Sequence, residues 1–498
     1  MVTVYGNFNT NGLKIDDIFI KKHLYMIEND TFQPDAFFTD FFPVRNERIR
    51  KYRQYTTEKN AIDDRKRADS KLIKAFNKIH NSYYNLIVDQ QVGYIFGNPI
   101  AYNLSPDVGE VEADWFRSFI SNQDIFIKNN ENGVQQGATG TSFMLFDIMP
   151  DDAQLKVVDS WNGYVLDENK AAVYLEEGYT PEFGFVMQMY LVTPNKITCY
   201  QSSMNGLATT KPGFNYYYEY ENLLKTMTLF EFKNNSIYQS AFETVEDLID
   251  AIDRVVSSSQ DEYEQFRLAY LLVTGVELDE EDVKDIFKGD TGIFNVPDVE
   301  SGQTVNVEWL TKQMPVEFFS VYTKFLTEQI YKFSKSVDFN DPAFAGGSES
   351  GEARKWKLLA LELKGNVVEN YTNKGLRNMF RAVVAYMRIR LGATQIEVAD
   401  ITTQFSRTLP VDLGYLADTL TKLRDLLSDE TILSQIPIVE DVQAEMDKRA
   451  MEQVEKMKQM DMYSPFNNGG DDKHVLGTEE GGTSQGNNDE GEPNTKDD

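Results

Sequence analysis

The sequence predicts an α+β chain, and three observations carry that prediction. Between about residues 140 and 235 the texture is that of β-strands: runs rich in aromatic and β-branched residues, separated by Gly, Asn and Pro clusters. From Phe242 onward, apolar residues recur every three or four positions, which is helical patterning. A long helix then runs from about Glu352 to Leu391.

Taken in order, residues 14–28 read as a short helix on Ile15, Ile18, Ile20, Leu24 and Ile27. Arg45 to Lys78 is basic within an acidic chain, with twelve Lys or Arg against five Asp or Glu. Two readings of it stay open: a patch for an acidic partner or nucleic acid, or a solvated helix face neutralising acidic neighbours in an assembly. The strand-like runs include 143–146, 185–192 and 216–220. Phe242, Val245, Leu248, Ile249, Ile252, Val255 and Val256 form one helical stripe, and Thr244 with Asp247 predicts a capping box at its start.

A mixed segment follows, with strand-like pieces at 268–274, 291–296 and 304–310 and a short acidic helix at 279–287. Pro315 opens the next helix, where its fixed φ and missing N–H cost least. Its stripe is Phe318, Phe319, Tyr322, Phe325, Leu326, Ile330 and Phe333. Pro342, Gly346, Gly347 and Gly351 break the pattern before the long helix. Within that helix Gly365 and Gly375 are expected to weaken it by roughly 1 kcal/mol each relative to Ala. A strand-like piece at 401–409 and helices at 411–427 and 437–460 complete the ordered part. Residues 464–498 hold nine acids and two lysines without periodicity, the composition of a disordered acidic tail.

Composition narrows function. At 498 residues the chain suggests roughly three units of about 150 residues. Lys plus Arg number 49 and Asp plus Glu 79, a formal charge of −30, which argues against gripping phosphate backbones or anionic membranes. It leaves room for a protein that surrounds DNA without holding it. Cys199 is the single cysteine, so neither an intrachain disulfide nor a cysteine metal cage can form, and synthesis in a reducing cytoplasm is expected. The apolar runs are too short to span a bilayer, and 1–13 lacks a signal-peptide layout.

No catalytic template fits. His23, His80 and His474 stand apart, without metal-ligand spacing. Gly346-Gly347-Ser348-Glu349-Ser350-Gly351-Glu352 puts an acid where a phosphate-cradling loop needs lysine. The expectation is no catalytic residue, no metal site and no cofactor.

Three segments resemble the portal proteins of long-tailed double-stranded DNA bacteriophages of Gram-positive hosts. They are Val88-Asp89-Gln90-Gln91-Val92-Gly93-Tyr94-Ile95-Phe96-Gly97-Asn98-Pro99-Ile100, then 230–235 (FEFKNN) directly ahead of the first stripe helix, then 344–362 (FAGGSESGEARKWKLLALE). The matches run in order from about 45 to 460. The resemblance implies a portal-type fold. Its parts would be an N-terminal segment 1–29; a β-rich wing 30–235; stem helices 236–266 and 315–337; a small α/β clip 267–314; a tunnel loop 338–351; a long wing helix 352–392; an α-helical crown 393–463; and the tail 464–498.

It also implies a homo-oligomeric ring of about twelve copies at one capsid vertex, closed by cyclic symmetry. The genome, as double-stranded DNA of any sequence, would be packaged and ejected through its channel. The large terminase subunit and then a head-completion adaptor would dock on the clip, and major capsid and scaffolding proteins would surround the ring. The chain would be made in the host cytoplasm and reside in the virion, with no membrane partner. Implied DNA-facing residues are Asp338, Asp341, Phe344, Gly346, Gly347, Glu349 and Gly351. Implied stem contacts between copies are Phe242, Leu248, Ile252, Phe318, Tyr322 and Phe325; implied clip docking residues are Glu280, Asp282, Asp285 and the Trp309-Leu310 pair.

The residues by themselves leave other possibilities. The two stripe helices suit either a ring wall with a wet polar face or an ordinary core. The Gly-rich loop suits either a movable channel element or a plain connector. Another head–tail connector or shell protein, or a carboxylate–Mg²⁺ enzyme acting on nucleic acid, remains an alternative function. Because 464–498 has no apolar face, its deletion should leave ring formation intact, as seen by negative-stain microscopy; loss of rings would make the tail structural.

Overall fold

The computed structural model describes residues 17–67, 75–148, 152–181, 184–203, 213–266, 270–274, 306–310, 316–339, 351–392, 394–407, 420–424, 426–434, 436, 439 and 442–462. Glu280, Asp282, Asp285, Asp341, Phe344, Gly346, Gly347, Glu349, the pieces expected at 279–287 and 291–296, most of the helix expected at 411–427, and the tail 464–498 lie outside the described residues. The chain divides into two compact units, Met1–Asp412 and Leu413–Asp498, rather than three.

The first unit is mixed helix and sheet. Helices α1 (Asp17–Glu28), α2 (Pro34–Tyr55) and α3 (Tyr83–Phe96) are followed by strand β1 (Ala101–Leu104) and helices α4 (Glu110–Asn122) and α5 (Ile125–Thr139). Eight strands then fill the region read as β: β2 (Thr141–Ile148), β3 (Ala153–Val158), β4 (Gly163–Asp167), β5 (Ala171–Thr180), β6 (Gly184–Val192), β7 (Lys196–Ser203), β8 (Asn215–Glu221) and β9 (Leu229–Lys233). They form a five-stranded antiparallel sheet in the order β4-β5-β6-β7-β8 and a three-stranded one in the order β3-β2-β9.

The two-residue period of a strand sorts the side chains. In β5, Ala171, Val173 and Leu175 pack with Phe19, Phe37, Phe38 and Phe41 of α1 and α2. Ala172 and Tyr174 point the other way and pack with Phe143, Leu145 and Leu229 of the smaller sheet. That sheet's far side, through Met144, Phe146, Phe230 and Phe232, joins the main core with α3 and the long helix.

Helix α6 (Glu246–Phe266) follows, then a hairpin of β10 (Tyr270–Thr274) and β11 (Asn306–Leu310), helix α7 (Val316–Ser334) and the 41-residue α8 (Gly351–Leu391). Strand β12 (Ile401–Gln404) returns to pair with β1, Ala101 opposite Gln404. The range 393–463 is therefore divided: these ladder bonds tie its first part into the first unit. In the second unit, α9 (Asp429–Ser434) precedes α10 (Val442–Met462). No described helix is long and apolar enough to cross a membrane.

The structure changes three sequence readings. The basic stretch divides: Arg48 and Lys51 are buried inside the chain, while Arg53, Lys59, Lys66, Arg67 and Lys78 are exposed. Arg48 donates to the Ser160 and Gly163 carbonyls at 2.7 and 2.8 Å and lies over the Phe143 ring at 5.4 Å. Lys51 is 2% exposed and bonds Glu243 at 2.7 Å, while Arg50 and Gln54 both donate to Glu246. Next, Thr244 caps no helix with Asp247; its hydroxyl donates to the Phe333 carbonyl at 3.2 Å. Finally, Gly375 is required rather than merely weakening. A Cβ there would lie 2.5 Å from the Phe232 ring and 2.9 Å from the Glu231 carbonyl, so only glycine lets α8 lie this close on β9.

Replacing Lys51 by Met leaves Glu243 buried without its cation, and we expect a loss of about 3 kcal/mol in unfolding free energy by denaturant titration. Burial alone would raise the Glu246 carboxyl, but hydrogen bonds from Arg50 and Gln54 outweigh it and hold its pKa below the ordinary value. Its contribution is thus present above the ordinary glutamate range and lost as pH falls through the lowered value. A Glu246→Gln chain should lose less stability on acidification than the parent.

Candidate functional site

The three resembling segments meet in the core, and α3 is where they meet. Gln91 is fully buried and donates to Asn234 Oδ1 at 2.8 Å, which joins the first segment to the second. Tyr94 donates to Glu362, which joins the first to the third. Arg407 completes that group: it bonds Glu362 at 3.2 Å, Glu369 at 2.7 Å and Asn366 at 2.6 Å, and lies over the Tyr94 ring at 5.5 Å. Burial would raise the Glu362 carboxyl, but Tyr94 and Arg407 hold it below its usual range. Burial and the same carboxylate push the Tyr94 phenol well up, so the phenol stays protonated as donor.

Helix α6 lies with its polar side against the same body. Asp250 accepts from Tyr84 at 3.0 Å, and Asp253 accepts from the Asn81 main chain and side chain at 2.9 and 2.7 Å. Ser257 Oγ accepts from the Ile79 N–H at 2.9 Å; Asp261 accepts from Asn77 at 2.6 and 2.8 Å and pairs with Arg65 at 2.9 Å. Positions 250, 253, 257 and 261 share one helix face, so residues 77–84 run along it with roughly one bond per turn.

The end of α7 is held from three sides. Thr244 takes the Phe333 carbonyl, and Lys364 donates to the Ser334 and Ala241 carbonyls at 3.1 and 3.2 Å. Gln90 takes both the N–H and the carbonyl of Val337, at 2.8 and 2.5 Å. Burial, with the nearby Lys335 charge, pushes the Lys364 ammonium down to about 7.

The expected site residues fall into distinct places. Phe242 is fully buried against Tyr84, their rings 4.8 Å apart, and Ile252 is buried in the same core. Both side chains are spent inside the chain. Leu248 and Tyr322 are partly buried at the margin of that core. Phe318 and Phe325 are exposed, at 66% and 50%, and with Val321 they make an uncovered apolar stripe on α7. Leu326 and Ile330 form the opposite, buried side. Asp338 is half-buried just past Val337, Gly351 begins α8, and Trp309 and Leu310 end β11 opposite Leu271 and Tyr270. Gln90, Gln91, Lys364 and Arg407 were not singled out from sequence. The available signal was polar residues interrupting helical apolar runs, which must find partners once buried.

His23 and His80 each have a single carboxylate partner, Asp40 at 3.2 Å and Asp63 at 3.1 Å. Among the described residues no group of three His, Cys, Asp or Glu could hold a metal ion.

The mixed helix-and-sheet build agrees with the α+β class that the sequence predicts. Residues 40–461 match the family described as phage portal protein, SPP1 Gp6-like, and the chain belongs to that family of bacteriophage portal proteins. It is 24% identical to the portal protein of Bacillus phage SPP1 over 505 residues, covering 95% of this chain and 96% of that one. It is 21% identical to the portal protein of Clostridium phage phiCD119 over 462 residues, covering 85% and 96%.

Since Phe325 is exposed and Ile330 buried, Phe325→Asp should change the stability of the unassembled chain by less than about 0.5 kcal/mol. Ile330→Asp should remove more than about 3 kcal/mol by burying a charge. Equal losses in thermal unfolding would show Phe325 to be packed within the subunit.

Proposed function

We propose that this portal protein closes into a ring of about twelve copies through the uncovered apolar stripe of α7, with 338–351 facing the DNA path. The observation that carries this reading is the two-sided build of α7. One side is spent on the chain's own core, and the other presents Phe318, Val321 and Phe325 to solvent. A contiguous apolar face of that kind calls for a partner. A neighbouring copy is the partner that a ring supplies to every subunit alike.

In this reading the body 30–235 with α8 is the wing, α6 and α7 are the stem, the β10–β11 hairpin belongs to the clip, and 393–463 is the crown. The ring sits at one capsid vertex, takes the terminase and later the head-completion adaptor on the clip, and performs no catalysis. Major capsid and scaffolding proteins are its other neighbours.

Four acids of α6, Glu246, Asp250, Asp253 and Asp261, are taken up inside the chain and are not free to face a channel, whereas Asp247 and Glu264 are exposed. What supports weak, non-adhesive contact is the composition of 338–351, with Asp338, Asp341 and Glu349 and no Lys or Arg. DNA would pass Phe344 and the Gly346-Gly347 backbone sterically.

Stiffening Gly346 and Gly347 to Pro should spare ring assembly and impair DNA packaging or retention. Asp341→Lys should slow translocation, more at low salt than at high, since the new charge binds phosphates. If both variants package and retain DNA like the parent at either salt, 338–351 does not line the channel.

A further inference from the structure

The structure assigns Gln90, Thr244 and Lys364 as positioning residues of the portal: from three different elements they fix the point at which the chain leaves α7 for 338–351. This rests on the reading of 338–351 as DNA-facing.

A helix ends with its last carbonyls unpaired, and capping usually supplies local partners. Here the partners are distant in sequence and come from three different elements. Phe333 O is taken by Thr244, in the turn before α6. Ser334 O is taken by Lys364 of α8, whose second bond ties in Ala241 O. Val337 is taken by Gln90 of α3 through both its N–H and its carbonyl, the pairing a neighbouring strand would otherwise provide.

The exit turn itself is strained. Lys335 has φ +58°, a left-handed conformation that favours glycine, and the Ser336 N–H closes the turn on the Tyr331 carbonyl at 3.0 Å. A non-glycine residue in that region persists where the surroundings over-determine it. The three side chains provide that over-determination. On the same helix, Gln91 goes to Asn234 and Tyr94 to Glu362. One helix, α3, therefore sets the exit of α7 relative to β9 and α8 together.

The test uses assembled rings of the full chain. Gln90→Met removes both bonds to Val337 at similar volume, and Gln90→Glu keeps the acceptor for its N–H. With Gln90→Met, rings should form as in the parent. The peptide 334–339 should exchange its amide hydrogens at least about tenfold faster by mass spectrometry, while 376–387 in the middle of α8 is unchanged; amide protection follows local opening. DNA packaging should fall severalfold, and Gln90→Glu should restore part of both signals. Thr244→Val, isosteric and on the surface, gives the same readout should Gln90→Met not assemble.

Unchanged exchange at 334–339 in both variants overturns the assignment. So does parent-like packaging despite faster exchange, provided the Gly346→Pro, Gly347→Pro chain is impaired in the same assay. If that proline chain packages normally, the DNA-facing reading of 338–351 has failed instead, and the exchange data alone decide whether Gln90 and Thr244 fix the exit.

Discussion

Carboxylates along one side of α6 must be met before that side can be covered, and the way they are met organises the first unit. Glu246 faces Arg50 and Gln54 of α2, Asp250 faces Tyr84, Asp253 faces Asn81, and Asp261 faces Asn77 and Arg65. An uncompensated buried carboxylate is expensive, so these partners make the contact specific in register as well as favourable. Arg50, Gln54, Arg65 and residues 77–84 are thereby laid along α6, and α3 begins at Tyr83 already docked against it. The remaining contacts of α3, to β9, α7 and α8, follow from that placement.

This arrangement changes where the protein's negative charge is used. A net charge of −30 suggests an acidic channel wall, yet a good part of the acid on α6 is neutralised within its own subunit. Part of the basic stretch meets it, Arg50 at Glu246 and Arg65 at Asp261, while Arg48 and Lys51 are buried elsewhere in the subunit. What α7 offers outward is apolar at Phe318, Val321 and Phe325, interspersed with Lys324, Glu328 and Lys332. An apolar stripe of that kind is suited to packing on a second subunit.

Much of this was legible in the sequence, and the exceptions have physical reasons. The long helix announced itself through some forty residues of helical patterning and is found at Gly351–Leu391. The strand texture from 140 to 235 corresponds to β2 through β9. Charge sign, by contrast, carries no information on distance: Lys51 and Glu243 lie 192 positions apart, and only the fold brings them to 2.7 Å. An apolar stripe likewise does not say who covers it, so Phe242 and Ile252 looked like Phe318 and Phe325 although the first two are core. Gly375 looked like a helix defect because the approach of Phe232 is a long-range contact. Thr244 had the spacing of a cap, and a carbonyl of α7 took its hydroxyl instead.

The central claim is that one face of α6 is consumed within the subunit while one face of α7 is kept for a neighbour. A cryo-EM reconstruction of the purified ring tests it most directly. The account predicts density for residues 77–84 against α6 of the same subunit, with Phe318 and Phe325 covered by the adjacent copy and 338–351 at the smallest radius. A ring in which Asp250, Asp253 and Asp261 line the bore, or in which Phe318 and Phe325 remain in solvent, would contradict it.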